Sequence, residues 1–376
     1  MSNLDGAFRS LFETNMGIAP GETVLVFSDR IRQDEAPSEG DRDRRTRLNE
    51  TARQAAGFAS SSYGSGQFAD FPATTAPGVE PPQMPWEATF GRPVLPGLQK
   101  NGILDDLFDK CVTPAQLDKA REIVAAAAAD VPRIIIAMSN NSSSHTNYRK
   151  LACHAGARFA SLPHFDPDMF GTSMDVDWQA LADRTARLVA AVNRAEWVNV
   201  ECPNGTAMHI CKRGRDAGGD DGLLTAPGCF GNLPAGEAYF APLEGESHGV
   251  MVIEWGPTRK LESPLTLTIA DGRVVRIDGD DPLRTVLEAR FADNGNCRKL
   301  ARLGIRNNRK ASRPDNVLEA EKILGTVHMA LGDNTGFGGI VAAPFHEDYV
   351  FYQPTVTLVM ADGSEEVILD AGRLQV

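Results

Sequence analysis

Residues 196–212 read EWVNVECPNGTAMHICK. Two β-rich runs, Glu196 to Cys202 and Thr206 to Lys212, flank Pro203-Asn204-Gly205, and that composition signals a hairpin. The stretch marks a change of architecture, because the chain before it is patterned differently from the chain after it. Upstream, Thr23–Ser28 (TVLVFS) and Arg133–Met138 (RIIIAM) are continuous apolar runs suited to strands buried on both faces of a sheet. Ala157–Leu162 predicts a third, short strand. Amphipathic helices are expected between and after them, over 42–58, from Thr113-Pro114-Ala115-Gln116 to about Ala129, over 146–155 and over 177–194. This strand–helix alternation implies a mostly parallel layer. Downstream, Leu265–Ala270 and Val274–Ile277 flank Asp271-Gly272, and Thr355–Met360 and Glu366–Leu369 flank Ala361-Asp362-Gly363-Ser364, two more hairpin signals. Val250–Trp255 is another strand, and helices are expected near 282–291 and 316–323.

The fold class expected is therefore α/β plus mainly antiparallel β. An N-terminal α/β sandwich layer spans residues 1–195, with a long Ser-, Gly- and Pro-rich loop over 60–98. An antiparallel β-rich domain spans 196–376. Loop 60–98 carries Tyr63, Phe68, Phe71, Trp86 and Phe90; it reads either as a lid or dimer arm, or as a surface excursion.

A chain of 376 residues is long enough for two cores. A net charge of −12 and a pI near 5.1 argue against a nucleic-acid partner, which requires a basic face. No apolar run approaches the roughly 20 residues of a membrane span, and Met1–Thr14 shows no apolar signal core. The six cysteines (Cys111, Cys153, Cys202, Cys211, Cys229, Cys297) include no C-x-x-C pair. They read as free thiols in a reducing, cytoplasmic setting.

The chemistry concentrates in Gly325–Asp348, which holds His328, His346 and Asp348. On an extended strand the side chains of His346 and Asp348 share one face, because strand side chains repeat every two residues. His328 lies in a β-rich run and can reach the same point from a neighbouring strand. Two imidazoles and a carboxylate suit a borderline-soft divalent metal; a histidine packed in a strand for structure is the plainer alternative. The Ser139–Ser144 run after the second apolar strand could hold an anion at a helix N-terminus, though capping accounts for it as well. His145, His154, His164 and Cys229 are weaker candidates.

Two segments resemble the aminopeptidase T family of metalloproteases. Asn232-Leu233-Pro234-Ala235-Gly236-Glu237-Ala238-Tyr239-Phe240-Ala241-Pro242 resembles that family's N-x-P-x-G-E-V-x-x-x-P motif. Glu321-Lys322, Gly325-Thr326-Val327-His328, Gly338-Gly339 and His346-Glu347-Asp348 resemble its E-K…G-T-x-H…G-G…H-x-D ladder. The resemblance implies a cocatalytic pair of zinc or cobalt ions, held among others by Glu237, His328, His346 and Asp348, in a homodimer. The family's bridging glutamate belongs in a segment A-E-L-G-I-G-x-N. Here that segment reads Ala301-Arg302-Leu303-Gly304-Ile305-Arg306-Asn307-Asn308, so Arg302 stands in the glutamate's place. A guanidinium cannot ligate a cation; it repels a second ion and pairs with Glu237. Glu321 is an alternative source of the missing carboxylate. The scaffold also resembles the 2,5-dihydroxypyridine dioxygenases, mononuclear iron enzymes that share the H-x-D and take their other histidine from the position of Arg302.

Three functions follow. The first is a metal-dependent hydrolase that cleaves a peptide or amide bond of a small or short-peptide substrate. It would use a metal-activated water, with Glu237 as ligand or general base and Arg302 binding a carboxylate or oxyanion. The second is a mononuclear Fe2+ dioxygenase acting on a small aromatic or N-heterocyclic acid, for which His328, His346 and Asp348 form a 2-His-1-carboxylate set. The third is a binding module without chemistry.

Overall fold

The computed structural model describes residues 4–256, 259–311 and 324–376. The apolar runs near the N-terminus are the centre of a parallel sheet. Strand β1 (Val24–Arg30) and β3 (Ile134–Met138) are buried along almost their whole length, as a strand covered on both faces must be. Strands β2 (Gln67–Pro72), β4 (Arg158–Ser161) and β8 (Phe230–Asn232) complete the order β2-β1-β3-β4-β8, with every pairing parallel. The helix at Thr113 starts as its sequence dictates. Thr113 Oγ1 accepts from the Gln116 backbone N–H, and Gln116 Oε1 accepts from the Thr113 N–H.

Contacts divide the chain into two units. The first is Met1–Trp178 with Gly222–Pro234, and the second is Gln179–Asp221 with Ala235–Val376. The division thus falls at Trp178 and not at residue 195. The helix Trp178–Asn193 buries Leu188, Ala191 and Val192 in the core of the second unit. Residues 222–234 return to the parallel sheet and contribute β8 to it.

The expectation of a long loop over 60–98 is overturned. The segment holds β2 and the helix Gln83–Lys100. Trp86, Phe90, Val94 and Leu98 recur every four residues and are fully buried in the first unit's core. Their partners include Tyr148, whose ring centroid is 5.5 Å from that of Trp86. Pro85 and Pro96 disguise the helix in the sequence, and Gly91 breaks it with φ 60°. The helix expected near 316–323, and Glu321 with it, lies outside the described residues.

The second unit contains two antiparallel sheets over one core. Eight strands run β12-β11-β10-β6-β5-β16-β17-β18, from β5 (Ala195–Glu201), β6 (Ala207–Cys211), β10 (His248–Trp255), β11 (Lys260–Ala270), β12 (Arg273–Asp278), β16 (Thr355–Met360), β17 (Glu365–Asp370) and β18 (Arg373–Leu374). All three expected hairpins are present in this sheet. Five strands run β15-β14-β13-β9-β7, from β7 (Gly218–Asp220), β9 (Glu237–Phe240), β13 (Leu300–Arg306), β14 (Val327–Gly332) and β15 (His346–Phe351). Leu303, Ile305, Val327, Met329, Leu331, Tyr349 and Phe351 of the five-stranded sheet meet Val198, Ile210, Met251, Leu265 and Leu267 of the larger one. The mixed α/β and antiparallel architecture is the one expected.

Candidate functional site on the five-stranded sheet

Strand parity builds the site. Residues directly opposite one another on paired strands point to the same face. Arg306 pairs with Glu237, Gly304 with both Tyr239 and His328, Arg302 with Ala330, Ala330 with Asp348, and Gly332 with His346. With period two along each strand, Glu237, Arg302, Arg306, His328, His346 and Asp348 all fall on one face. The intervening residues, Glu347 apart, form the apolar face described above. One continuous sheet thus separates a hydrophobic core from a charged surface without an extra loop.

Small residues make the room. His328 lies over Gly304 so closely that a Cβ there would stand 1.7 Å from the imidazole Cε1. Ala330 and Gly332 follow on β14, beside Asp348 and His346.

Two groups of side chains divide this face. In the first, Glu237 is ion-paired with both Arg302 and Arg306. The Arg302 guanidinium is sandwiched between the rings of Tyr239 and Phe337, 4.6 Å from each centroid. In the second group, His328 Nε2 lies 3.2 Å from Asp348 Oδ1, and His346 Nε2 lies 3.6 Å from Asp348 Oδ2. Arg306 joins the groups, its Nη2 being 3.3 Å from His328 Nε2. His328 and Arg306 are fully buried, whereas Asp348 and His346 keep about one-sixth of their side chains accessible, at 17% and 16%. The face is therefore open at its His346–Asp348 end.

Electrostatics fix the protonation states. Burial, reinforced by Arg306, holds His328 well below the usual imidazole range, so its ring is neutral. Burial also opposes charge on Asp348, but the cationic groups facing it, His346 and Arg302, outweigh it and keep the carboxyl well below its usual range. For His346, burial pulls the pKa down and Asp348 more than restores it, for a net rise. Its Nδ1 lies 2.7 Å from the Asp333 carbonyl oxygen. An Nδ1–H donated to that carbonyl leaves Nε2 turned toward Asp348, the arrangement that orients a metal-ligating histidine.

The Gly332–Phe345 loop is tied down by the buried Asn334. Its Nδ2 donates to Glu244 Oε1 (3.0 Å) and its Oδ1 accepts from Val341 N–H (2.7 Å). Glu244 also accepts from Ile340 N–H at 2.9 Å and pairs with Arg215, which donates to the Gly338 carbonyl. Gly339 is required because a Cβ would lie 2.0 Å from the Asn334 side chain. The anchored loop carries Phe337 against Arg302 and His346, with a ring separation of 5.2 Å from the latter.

The fit to a divalent metal is one of donor chemistry and adjacency. Neighbouring donors on one ion at about 2.1 Å stand roughly 3.0–3.4 Å apart, close to both separations at Asp348. Asp348 Oδ1 is buried without a hydrogen-bond partner among the described residues, as a carboxylate oxygen reserved for a cation would be. As they stand, however, no three His, Cys, Asp or Glu side chains among the described residues are placed around one point to hold an ion. The set is two donor pairs sharing Asp348. Glu237 faces its two arginines, with its Oε2 3.8 Å from His328 Nε2.

All five residues singled out from the sequence, Glu237, Arg302, His328, His346 and Asp348, come together on this face. Sequence reasoning missed Arg306, Gly304, Tyr239 and Phe337. The first two follow from Arg302 by strand parity once β13 is recognised as a strand.

Comparison with known proteins agrees with this architecture. No curated protein matches the chain. Among solved structures, 2,5-dihydroxypyridine dioxygenase from Pseudomonas putida KT2440 is similar with a TM-score of 0.68 and 16% identity, covering 99% of this chain and 97% of that one. Wild-type AmpT from Thermus thermophilus is similar with a TM-score of 0.61 and 14% identity, covering 99% of each. At these identities both share the fold alone. The sequence carries the stronger finding, since the NicX family model, 2,5-dihydroxypyridine 5,6-dioxygenase, matches residues 109–376. That span includes every strand of the charged face, makes an enzyme with a divalent metal the expectation, and shifts the balance from the hydrolase to the dioxygenase. The chain belongs to the NicX, 2,5-dihydroxypyridine 5,6-dioxygenase, family.

Proposed function

We propose that the protein is a mononuclear non-haem iron dioxygenase acting on a small aromatic or N-heterocyclic acid, with His328, His346 and Asp348 as the iron donors. The observation that carries this reading is the pair of imidazole nitrogens turned onto one carboxylate, 3.2 and 3.6 Å away, on a chain of this family. When bound, ferrous iron supplies the one-electron chemistry that lets dioxygen react with a closed-shell ring.

The chain's own residues perform the remaining tasks. His328 offers a neutral Nε2, kept so by burial and Arg306. Arg306 also holds one oxygen of Glu237, so a carboxylate that would otherwise bind a second cation is neutralised within the sheet. Arg302 fills the place of a bridging carboxylate and presents a fixed positive charge to the acid group of a substrate. Tyr239 and Phe337 hold that guanidinium flat and exclude water from it. Glu237, engaged by two guanidiniums, is a structural counter-ion in this reading and not a general base.

The hydrolase reading draws support from the retained His328, and one experiment separates the two. Anaerobically purified protein is analysed for metals, then assayed for oxygen uptake with hydroxylated pyridines and aromatic acids and for aminopeptidase activity. One iron at the site with substrate-dependent oxygen uptake supports the dioxygenase. Two zinc or cobalt ions with peptide cleavage overturn it. A soluble, cytoplasmic homodimer acting on a small molecule is the setting proposed; no helix among the described residues is long and apolar enough to cross a membrane.

A further inference from the structure

On the outer face of the eight-stranded sheet, two histidines stand side by side. His209 on β6 and His248 on β10 are directly opposed in the antiparallel register, and Asn199 on β5 opposes His209 from the other side. Their rings are 5.1 Å apart, centroid to centroid, and inclined at 56°. His209 stacks flat on Trp197, 4.2 Å away and 11° from parallel. Each ring meets an acceptor through Nδ1. His209 Nδ1 faces Asn199 Oδ1, and His248 Nδ1 faces the Glu246 carbonyl at 3.4 Å.

We infer that His209 and His248 form a second, surface binding site for a late first-row divalent ion, Cu2+, Ni2+ or Zn2+, independent of the site on the five-stranded sheet. Three observations carry the assignment. An Nδ1–H donated to an oxygen fixes the tautomer in which Nε2 bears the lone pair, and metal-ligating histidines almost always show this support from their surroundings. An imidazole bound at about 2.1 Å places its ring centre roughly 3.2 Å from the ion, so two such rings on adjacent positions lie roughly 4.5–5.2 Å apart; the pair here stands within that range. The stack on Trp197 holds one ring in place before any ion arrives, so the ordering cost of binding falls mainly on His248. Burial, with the neighbouring His248, also lowers the pKa of His209, which favours the neutral ligand form.

No third His, Cys, Asp or Glu completes the site among the described residues. Water takes the remaining positions, and affinity should follow the order Cu2+ above Ni2+ and Zn2+, with Mn2+ weak and Mg2+ without effect. Imidazole donors, not carboxylates, set that preference.

The test uses the full chain and CuCl2 or ZnCl2 alone. Cu2+ bound at His209 sits beside Trp197 and should quench its fluorescence, while isothermal titration counts ions. Iron-loaded wild-type protein should bind one Cu2+ at this surface with an affinity that His248→Gln lowers at least tenfold, while the quench is lost in Trp197→Phe without loss of the ion. His209→Asn provides a second variant should one of these fold poorly. A His248→Gln protein that titrates like wild type overturns the assignment, as does a full quench in Trp197→Phe. Because His328, His346 and Asp348 are untouched, failure here leaves the dioxygenase reading standing, and failure of that reading leaves this site standing.

Discussion

Gly304→Ala tests how the charged face is assembled. The added Cβ would lie 1.7 Å from His328 Cε1 and 2.5 Å from both ring nitrogens. Non-bonded carbons require about 3.5–4.0 Å, so the ring must retreat by about 2 Å. His328 has nowhere to retreat without cost: it is fully buried, 3.2 Å from Asp348 Oδ1 and 3.3 Å from Arg306 Nη2. A displacement of that size ends both approaches. Overpacking of this kind costs about 1–3 kcal/mol, which corresponds to a fall in Tm of roughly 2–12 °C for a folding unit of 150–250 residues. Calorimetry should show that fall, and iron binding should drop together with oxygen uptake. A double-mutant cycle isolates the cause. In a His328→Ala background the methyl group meets no ring, so Gly304→Ala should then cost little. Wild-type Tm and iron content in Gly304→Ala, or strictly additive energies in the cycle, would refute the reasoning.

Arg306→Met removes one partner of a buried pair and should destabilise the protein by about 3–5 kcal/mol in urea unfolding, with Glu237→Gln in the same chain restoring part of the loss. His346→Ala removes a partly accessible side chain, so stability should change by less than about 1 kcal/mol while iron is lost from elemental analysis; retained iron would remove His346 from the donor set. Asp281 accepts from Arg259, and from the Glu262 and Leu283 N–H groups, which together hold its pKa down at about 2. Its folded-state value lies below its unfolded one, so its stabilisation is present above about pH 4 and is lost as pH falls through 2. Asp281→Asn should lower stability near neutrality and flatten the acid limb of the stability profile in that window, so that the two proteins converge as pH falls through 2.

Much of this molecule could be read from its residues. The buried strands at Val24–Arg30 and Ile134–Met138, the helix capped by Thr113 and the three hairpins follow from apolar runs, capping chemistry and turn composition. His346 and Asp348 share a face because a strand has period two. What escaped had physical reasons. The helix Gln83–Lys100 hid behind prolines, because its four-residue apolar repeat is decided by burial against Tyr148 and not by local propensity. Strand β13 mixes Arg302, Gly304 and Arg306 with Leu303 and Ile305, and arginines in a buried strand run against expectation until Glu237 supplies their counter-charge across the register. Arg306 was therefore invisible as a site residue, although its parity with Arg302 announces it once the strand is known. The clasp of Asn334, Glu244 and Arg215 joins segments far apart in sequence, and no local pattern predicts it.

The edge strand Phe230–Asn232 has a consequence for biosynthesis. A nascent chain emerging from the ribosome offers Arg158–Ser161 with one side unpaired until some seventy more residues have been made, because the segment that covers it is encoded after a detour through the other unit. Neither unit is contiguous in the gene, so a truncation anywhere between 179 and 221 leaves a sticky sheet margin on the amino-terminal fragment. Such fragments should aggregate during translation, while a circular permutant that joins the two pieces of the first unit directly should emerge soluble.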